Sequence, residues 1–155
     1  MKYLSSALII GLLISGPSLA QQSLVGAYKM VSWVQDVQGS EKVERYGKSP
    51  RGDLLVTRTR VAALYTADVR KPGTSVAERA ALYDTLNSWS GRYRVEGSKM
   101  IINISASSNE NWTGTDVVWN TQLSGKSLTL TSEPRPSGRD PSKTVTTRMV
   151  FEKVE

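Results

Sequence analysis

The sequence predicts an all-β domain. Short runs rich in β-branched and aromatic residues recur along the chain, as at residues 54–57, 61–66 and 127–131. Turn clusters such as Gly39-Ser40, Glu96-Gly97-Ser98 and Gly125-Lys126 separate them. A single segment, residues 75–88, carries helical periodicity. About eight antiparallel strands joined by short turns suggest an up-and-down barrel or a sandwich, and periodicity leaves both open.

Residues 24–37 predict a first long strand, with Tyr28, Met30, Ser32 and Val34 on one face and Lys29, Val31 and Trp33 on the other. Gly39-Ser40 turns the chain, residues 42–46 read as a second, polar strand, and residues 47–52 as a loop. Residues 54–57 and 61–66 make a hairpin around Arg58-Thr59-Arg60, and Lys71-Pro72-Gly73 ends that meander. Ser75 caps the helix with Glu78 three residues on, a capping box, and Ala77, Ala80, Ala81, Leu82, Tyr83 and Leu86 supply its apolar positions. Strands follow at 89–95, 99–105, 113–123 and 127–131, then an exposed Pro- and Gly-rich loop at 132–142 and a last strand at 144–154. The first and last strands are both long, as expected if they pair and remove the edges of the sheet.

The N-terminus predicts export. Lys2 supplies a positive start, residues 4–14 are an apolar run, Gly16-Pro17 breaks it, and Ser18-Leu19-Ala20 places small residues where a signal peptidase reads. The run is too short to span a bilayer, which needs about 20 residues, so no stable membrane insertion is expected. Without a cysteine at the cleavage site, a lipid anchor is not expected either. A cleavable signal peptide over 1–20 leaves one domain over 21–155, periplasmic or secreted.

Composition excludes more chemistry than it suggests. The chain has no His and no Cys, so disulfides, Ser-His-Asp and Cys-His catalytic units and His-held haem or zinc are ruled out. The acids are dispersed without an Asp-rich calcium loop, and no metal or cofactor is expected. Losing the leader's one lysine lowers the net charge from +6 to +5. The basic residues form no stripe interleaved with aromatics, so no nucleic-acid partner is expected. Nothing in the pattern speaks to oligomeric state.

Several segments, in order, resemble the bacterial lipocalin-like domain family, small relatives of the lipocalin and calycin barrels. Residues 24–33, with Gly26, Tyr28, Ser32 and Trp33, are similar to its opening strand. The Tyr46-Gly47-Lys48-Ser49-Pro50-Arg51-Gly52 turn, the Trp89-Ser90-Gly91-Arg92-Tyr93 strand and the Asn111-Trp112-Thr113-Gly114 turn resemble family motifs, and 127–131 with 149–154 resemble the closing pair. Tyr28 stands where the family usually has Trp, and Arg58-Thr59-Arg60 lacks an expected Gly. The resemblance implies an antiparallel up-and-down β-barrel of about eight to nine strands with one short helix between strands. It also implies that an arginine of the last strand, Arg148 here, closes the barrel over Tyr28.

A barrel of this size encloses side chains or one small ligand. The expected lining is Tyr28, Met30, Tyr65, Tyr93, Met100, Ile102, Trp112, Trp119, Met149 and Phe151. These residues equally suit a filled core. Four Trp and three mature Met beside a single Phe resemble an adaptable small-molecule lining. The first functional expectation is therefore a binder of a small apolar or amphipathic molecule. A barrel enzyme, a cyclase, isomerase or hydratase working through Tyr, Asp or Glu, is the alternative, with Glu110 and Asp116 flanking Trp112 as a candidate pair. A third reading is an envelope interaction or inhibitor module presenting the 132–142 loop.

Overall fold

The structure, a computed structural model, describes residues 23–40, 42–137 and 140–155. Residues 1–22, where the signal peptide is expected, and Glu41, Gly138 and Arg139 lie outside the described residues. Eight antiparallel strands close into a barrel and a ninth, two-residue strand is added to its edge. In chain order they are β1 (Gly26–Val37), β2 (Arg51–Val56), β3 (Arg60–Thr66), β4 (Leu86–Glu96), β5 (Lys99–Ser107), β6 (Asp116–Ser124), β7 (Ser127–Ser132), β8 (Arg135–Pro136) and β9 (Thr144–Lys153). Helix α1 (Val76–Asp84) lies between β3 and β4. From β1 to β7 each strand pairs with the next, β7 and β8 both pair with β9, and β1 pairs with β9 from Tyr28↔Lys153 to Val37↔Val145. The two long terminal strands thus close the barrel, which settles barrel over sandwich and leaves no free edge between them.

One end is closed by short turns at 57–59, 97–98 and 125–126. Thr57 makes the first of these without glycine: its hydroxyl accepts from Arg60 N at 3.0 Å and bonds the Arg60 carbonyl at 3.1 Å. Below the strands Tyr93 Oη donates to the Thr57 carbonyl at 2.9 Å, and Tyr28 Oη donates to Leu24 O at 2.8 Å. Inward side chains pack together in this half. Tyr28, Leu54, Met100, Ile102, Leu128, Leu130, Met149 and Phe151 are all buried.

Four departures from the sequence expectation have local physical causes. Residues 42–46 do not form a strand: Val43 makes an isolated bridge to Gln35, with both N–H···O bonds at 2.9 Å, and the remaining chain from 38 to 50 is loop. The helix stops at Asp84 because Leu86 already pairs with Thr66 in the sheet, where its burial is greater than on a helix with no buried residue. The capping box holds, with Glu78 N donating to Ser75 Oγ at 3.2 Å and Ser75 N to Glu78 Oε2 at 3.0 Å.

The third departure is the face of β1. The register slips between Met30 and Ser32, a β-bulge with Val31 as the extra, exposed residue. Beyond it Trp33, opposite Met149, points inward and is buried, while Ser32 and Val34 face outward. The fourth is the closure. Arg148 pairs with Val34 and Thr131 on the outer face and is exposed, far along β1 from Tyr28. Alternation with Met149 turns it outward, so it cannot cover Tyr28. Lys153, directly across from Tyr28, does so instead: its Nζ lies 5.8 Å from the ring centroid and donates to Val25 O at 2.7 Å.

Candidate functional site

Toward the other end the inward positions change character. Along β1 the inward series runs Tyr28, Met30, Trp33, Gln35, and along β9 it runs Phe151, Met149, Thr147 and then Val145. On β7 Ser132 follows Leu130, and on β4 Asn87 precedes Trp89. Apolar side chains therefore give way to a ring of Gln35, Asn87, Ser132 and Thr147. Gln35 Nε2 donates to Thr147 Oγ1 at 3.1 Å, and Thr147 N donates to Ser132 Oγ at 2.9 Å. A barrel core that turns polar at one level encloses a site rather than more core.

Above the ring lies a cavity of about 590 Å³. Its walls include Trp33, Tyr46, Tyr65, Trp112 and Trp119, with Asn87, Gln35 and Thr147 as polar groups and Arg45, Asp116, Glu133 and Arg135 toward the rim. Tyr46 packs edge-on between its neighbours, 4.9 Å from the Trp33 centroid and 5.2 Å from that of Tyr65. Trp112 comes from the one-turn 3₁₀ segment Glu110–Trp112, which Asn109 caps through Asn111 N at 3.3 Å.

Tyr46 reaches the cavity through a loop clasp. Asp68 N donates to the Tyr46 carbonyl at 3.1 Å, and the Asp68 carboxylate accepts from Ser49 N at 3.2 Å. Gly47 adopts φ +79°, and a Cβ there would meet the Asp68 carboxylate oxygen at 2.1 Å. The positive φ favours glycine at this turn, which gives the Tyr-Gly motif a structural purpose. The amide bonds, that of Ser49 first, hold the Asp68 carboxyl below its ordinary pKa. A carboxylate depressed in the folded state stabilises it above the unfolded value near pH 4, and that contribution disappears as pH falls through the native value. The melting temperature of Asp68→Asn should therefore lie below that of the parent at neutral pH, and the two should converge below about pH 4. Parallel curves across that range would show that the clasp does not stabilise the fold.

Burial raises the pKa of both phenols lining the site. For Tyr46, the neighbouring Arg45 charge and Asn87 side chain partly offset burial. For Tyr65 burial and neighbouring Tyr46 dominate the opposing effect of the Trp89 and Trp33 indoles. The Trp89 N–H lies close enough to act electrostatically on Tyr65 but makes no bond of hydrogen-bonding geometry. Asn87 Oδ1 is likewise buried without a partner. Such groups are costly unless something bonds them. Both phenols stay protonated near neutrality and act as hydrogen-bonding groups, not bases.

Of the ten residues expected to line a ligand site, the structure brings Tyr65, Trp112 and Trp119 into this cavity. Tyr28, Met30, Tyr93, Met100, Ile102, Met149 and Phe151 are packed in the core toward the closed half. Trp33, Tyr46 and Asn87 were not among the ten. Trp33 was hidden by the bulge and Tyr46 by a loop contact distant in sequence. Asn87 carried a readable signal, being in phase with inward Trp89. Glu110 and Asp116 do not form a buried pair: Glu110 accepts from Thr113 Oγ1 at 3.1 Å and Asp116 from Asn103 Nδ2 at 2.9 Å, both exposed. Among the described residues no Asp or Glu is buried, and no three gather as a cation site. No helix among them is long and apolar enough to cross a membrane.

A family model described as a lipocalin-like domain matches residues 25–154. No curated protein matches significantly. Among solved structures, an uncharacterized protein from Bacteroides eggerthii DSM 20697 is similar at 13% identity and a TM-score of 0.42, over 83% of this chain and 98% of that one. At that score it adds nothing to the family match.

Proposed function

Because this chain belongs to the lipocalin-like domain family, we propose that it is an exported binding protein that holds one small amphipathic molecule at the open end of its barrel. The observation that carries this reading is the aromatic-walled cavity with an unpartnered acceptor, Asn87 Oδ1, on its lining. An apolar ligand body would cover Trp33, Tyr46, Tyr65 and Trp119, and one N–H or O–H of the ligand would satisfy Asn87. Affinity then comes from apolar burial, and orientation from a few polar contacts. The closed half contributes a buried apolar core beneath the cavity. An enzymatic reading is less well supported, because no described carboxylate is buried in the barrel and both lining phenols are held protonated.

Native mass spectrometry of the protein purified from its own cell envelope should show a bound small molecule. N-phenylnaphthylamine should also bind the emptied protein with increased fluorescence. The absence of both a co-purifying mass and saturable probe binding would overturn the reading. Export is supported by the pattern of residues 1–20, and N-terminal sequencing of the mature protein should begin at Gln21.

A further inference from the structure

We infer that the open-end cavity selects anionic amphiphiles, with Arg45 and Arg135 receiving the anionic group; this rests on the small-molecule reading of the same cavity. Four charged side chains line that cavity, two acids and two arginines. Both acids already have a cationic partner outside its lining, although the one at Asp116, Arg94, is shared with Glu96 at 2.8 Å. Asp116 pairs with Arg94 at 3.5 Å, and Glu133 pairs with Lys99 at 2.6 Å. The arginines have no such counterpart: among the described residues neither forms an ion pair. The wall therefore carries two arginines without an ion-pair partner among the described residues.

Their placement suits a ligand of defined polarity. Arg45 donates to the Asp84 carbonyl at the C-terminus of α1 at 3.1 Å, and its guanidinium lies 5.8 Å from the Tyr46 ring centroid. Those contacts orient the fork while using few of its five N–H groups. Arg135 is fixed on the rim through β8, which pairs it with Val145. The aromatic residues and Asn87 lie deeper, so an apolar body enters first and the anion stays at the mouth. A planar guanidinium matches carboxylate, sulfonate or phosphate monoester groups through paired hydrogen bonds. The ligand class is thus an apolar, preferably aromatic, body bearing one such group.

Two probes sharing one ring system separate the possibilities: neutral N-phenylnaphthylamine and its anionic relative anilinonaphthalene sulfonate. The sulfonate should bind about tenfold more tightly at low ionic strength, an advantage that shrinks in high salt. In Arg45→Gln/Arg135→Gln the advantage should vanish and the two probes bind alike, with Arg135→Gln alone showing an intermediate loss. Thermal melting of each variant, and its binding of the neutral probe, confirm that the barrel is intact. Equal binding of both probes by the parent, or a sulfonate advantage that survives the double substitution, would overturn the inference while leaving the binding function standing. Binding of neither probe would remove the small-molecule reading and this inference with it.

Discussion

Phe151→Ala is expected to destabilise the fold by about 3–5 kcal/mol, the range for deleting a fully buried aromatic side chain. Phe151 is the chain's single phenylalanine and has no exposed surface. On β9 it stands opposite Met30 of β1 and Leu128 of β7, so its ring spans the seam that closes the barrel. Neighbouring Tyr28, Met149 and Leu130 are equally buried and held by sheet pairing on both sides. They cannot collapse into the space, so both the transfer cost and the cavity cost are paid. In denaturant unfolding the midpoint should fall sharply with an unchanged slope. A loss below about 1 kcal/mol would mean that the closed half is not packed as described.

Trp33 should show the second large effect, and there stability and binding are coupled. Its indole is buried, stands opposite Met149, and meets Tyr46 edge-on at 4.9 Å. Trp33→Ala should cost about 3–5 kcal/mol and leave Tyr46 without its inner support. Because that variant risks unfolding, Trp33→Phe isolates the binding contribution. It keeps an aromatic wall but shortens it and loses the indole beside Tyr65. N-phenylnaphthylamine should then bind roughly three- to tenfold more weakly, the equivalent of about 0.5–1.5 kcal/mol. An unchanged affinity in a folded Trp33→Phe protein would place the probe elsewhere than against this wall.

The eight barrel strands and the single helix with its capping box were legible in the sequence, whereas residues 42–46 were expected as a further strand and β8 lies in a segment expected as loop. The legible elements depend on signals local to each segment: alternation, turn residues, and a Ser-x-x-Glu start. The inward face of β9 was legible for the same reason, since Met149 and Phe151 alternate with exposed Arg148 and Glu152 without interruption. On β1 the same rule fails midway, because a bulge inserts one residue and reverses the parity beyond it. Nothing in the sequence Met30-Val31-Ser32 marks that insertion. It follows from matching β1 to a partner more than a hundred residues away.

The sequence by itself determined an all-β architecture and the exclusion of histidine and cysteine chemistry, because composition and short-range periodicity act within a few residues; closure into a barrel rests on the β1–β9 pairing. It also contained the polar inward positions Asn87, Ser132 and Thr147, in phase with buried neighbours. Only the tertiary structure decided which aromatics form a cavity wall and which fill the core. That choice depends on depth along the barrel axis, a property of strand stagger that alternation does not encode. Tyr46 enters the site because Gly47 lets its loop rest on Asp68, and Lys153 rather than Arg148 caps Tyr28 because cross-strand register puts it there. Each is a contact between segments distant in sequence, settled by how the closed sheet aligns them.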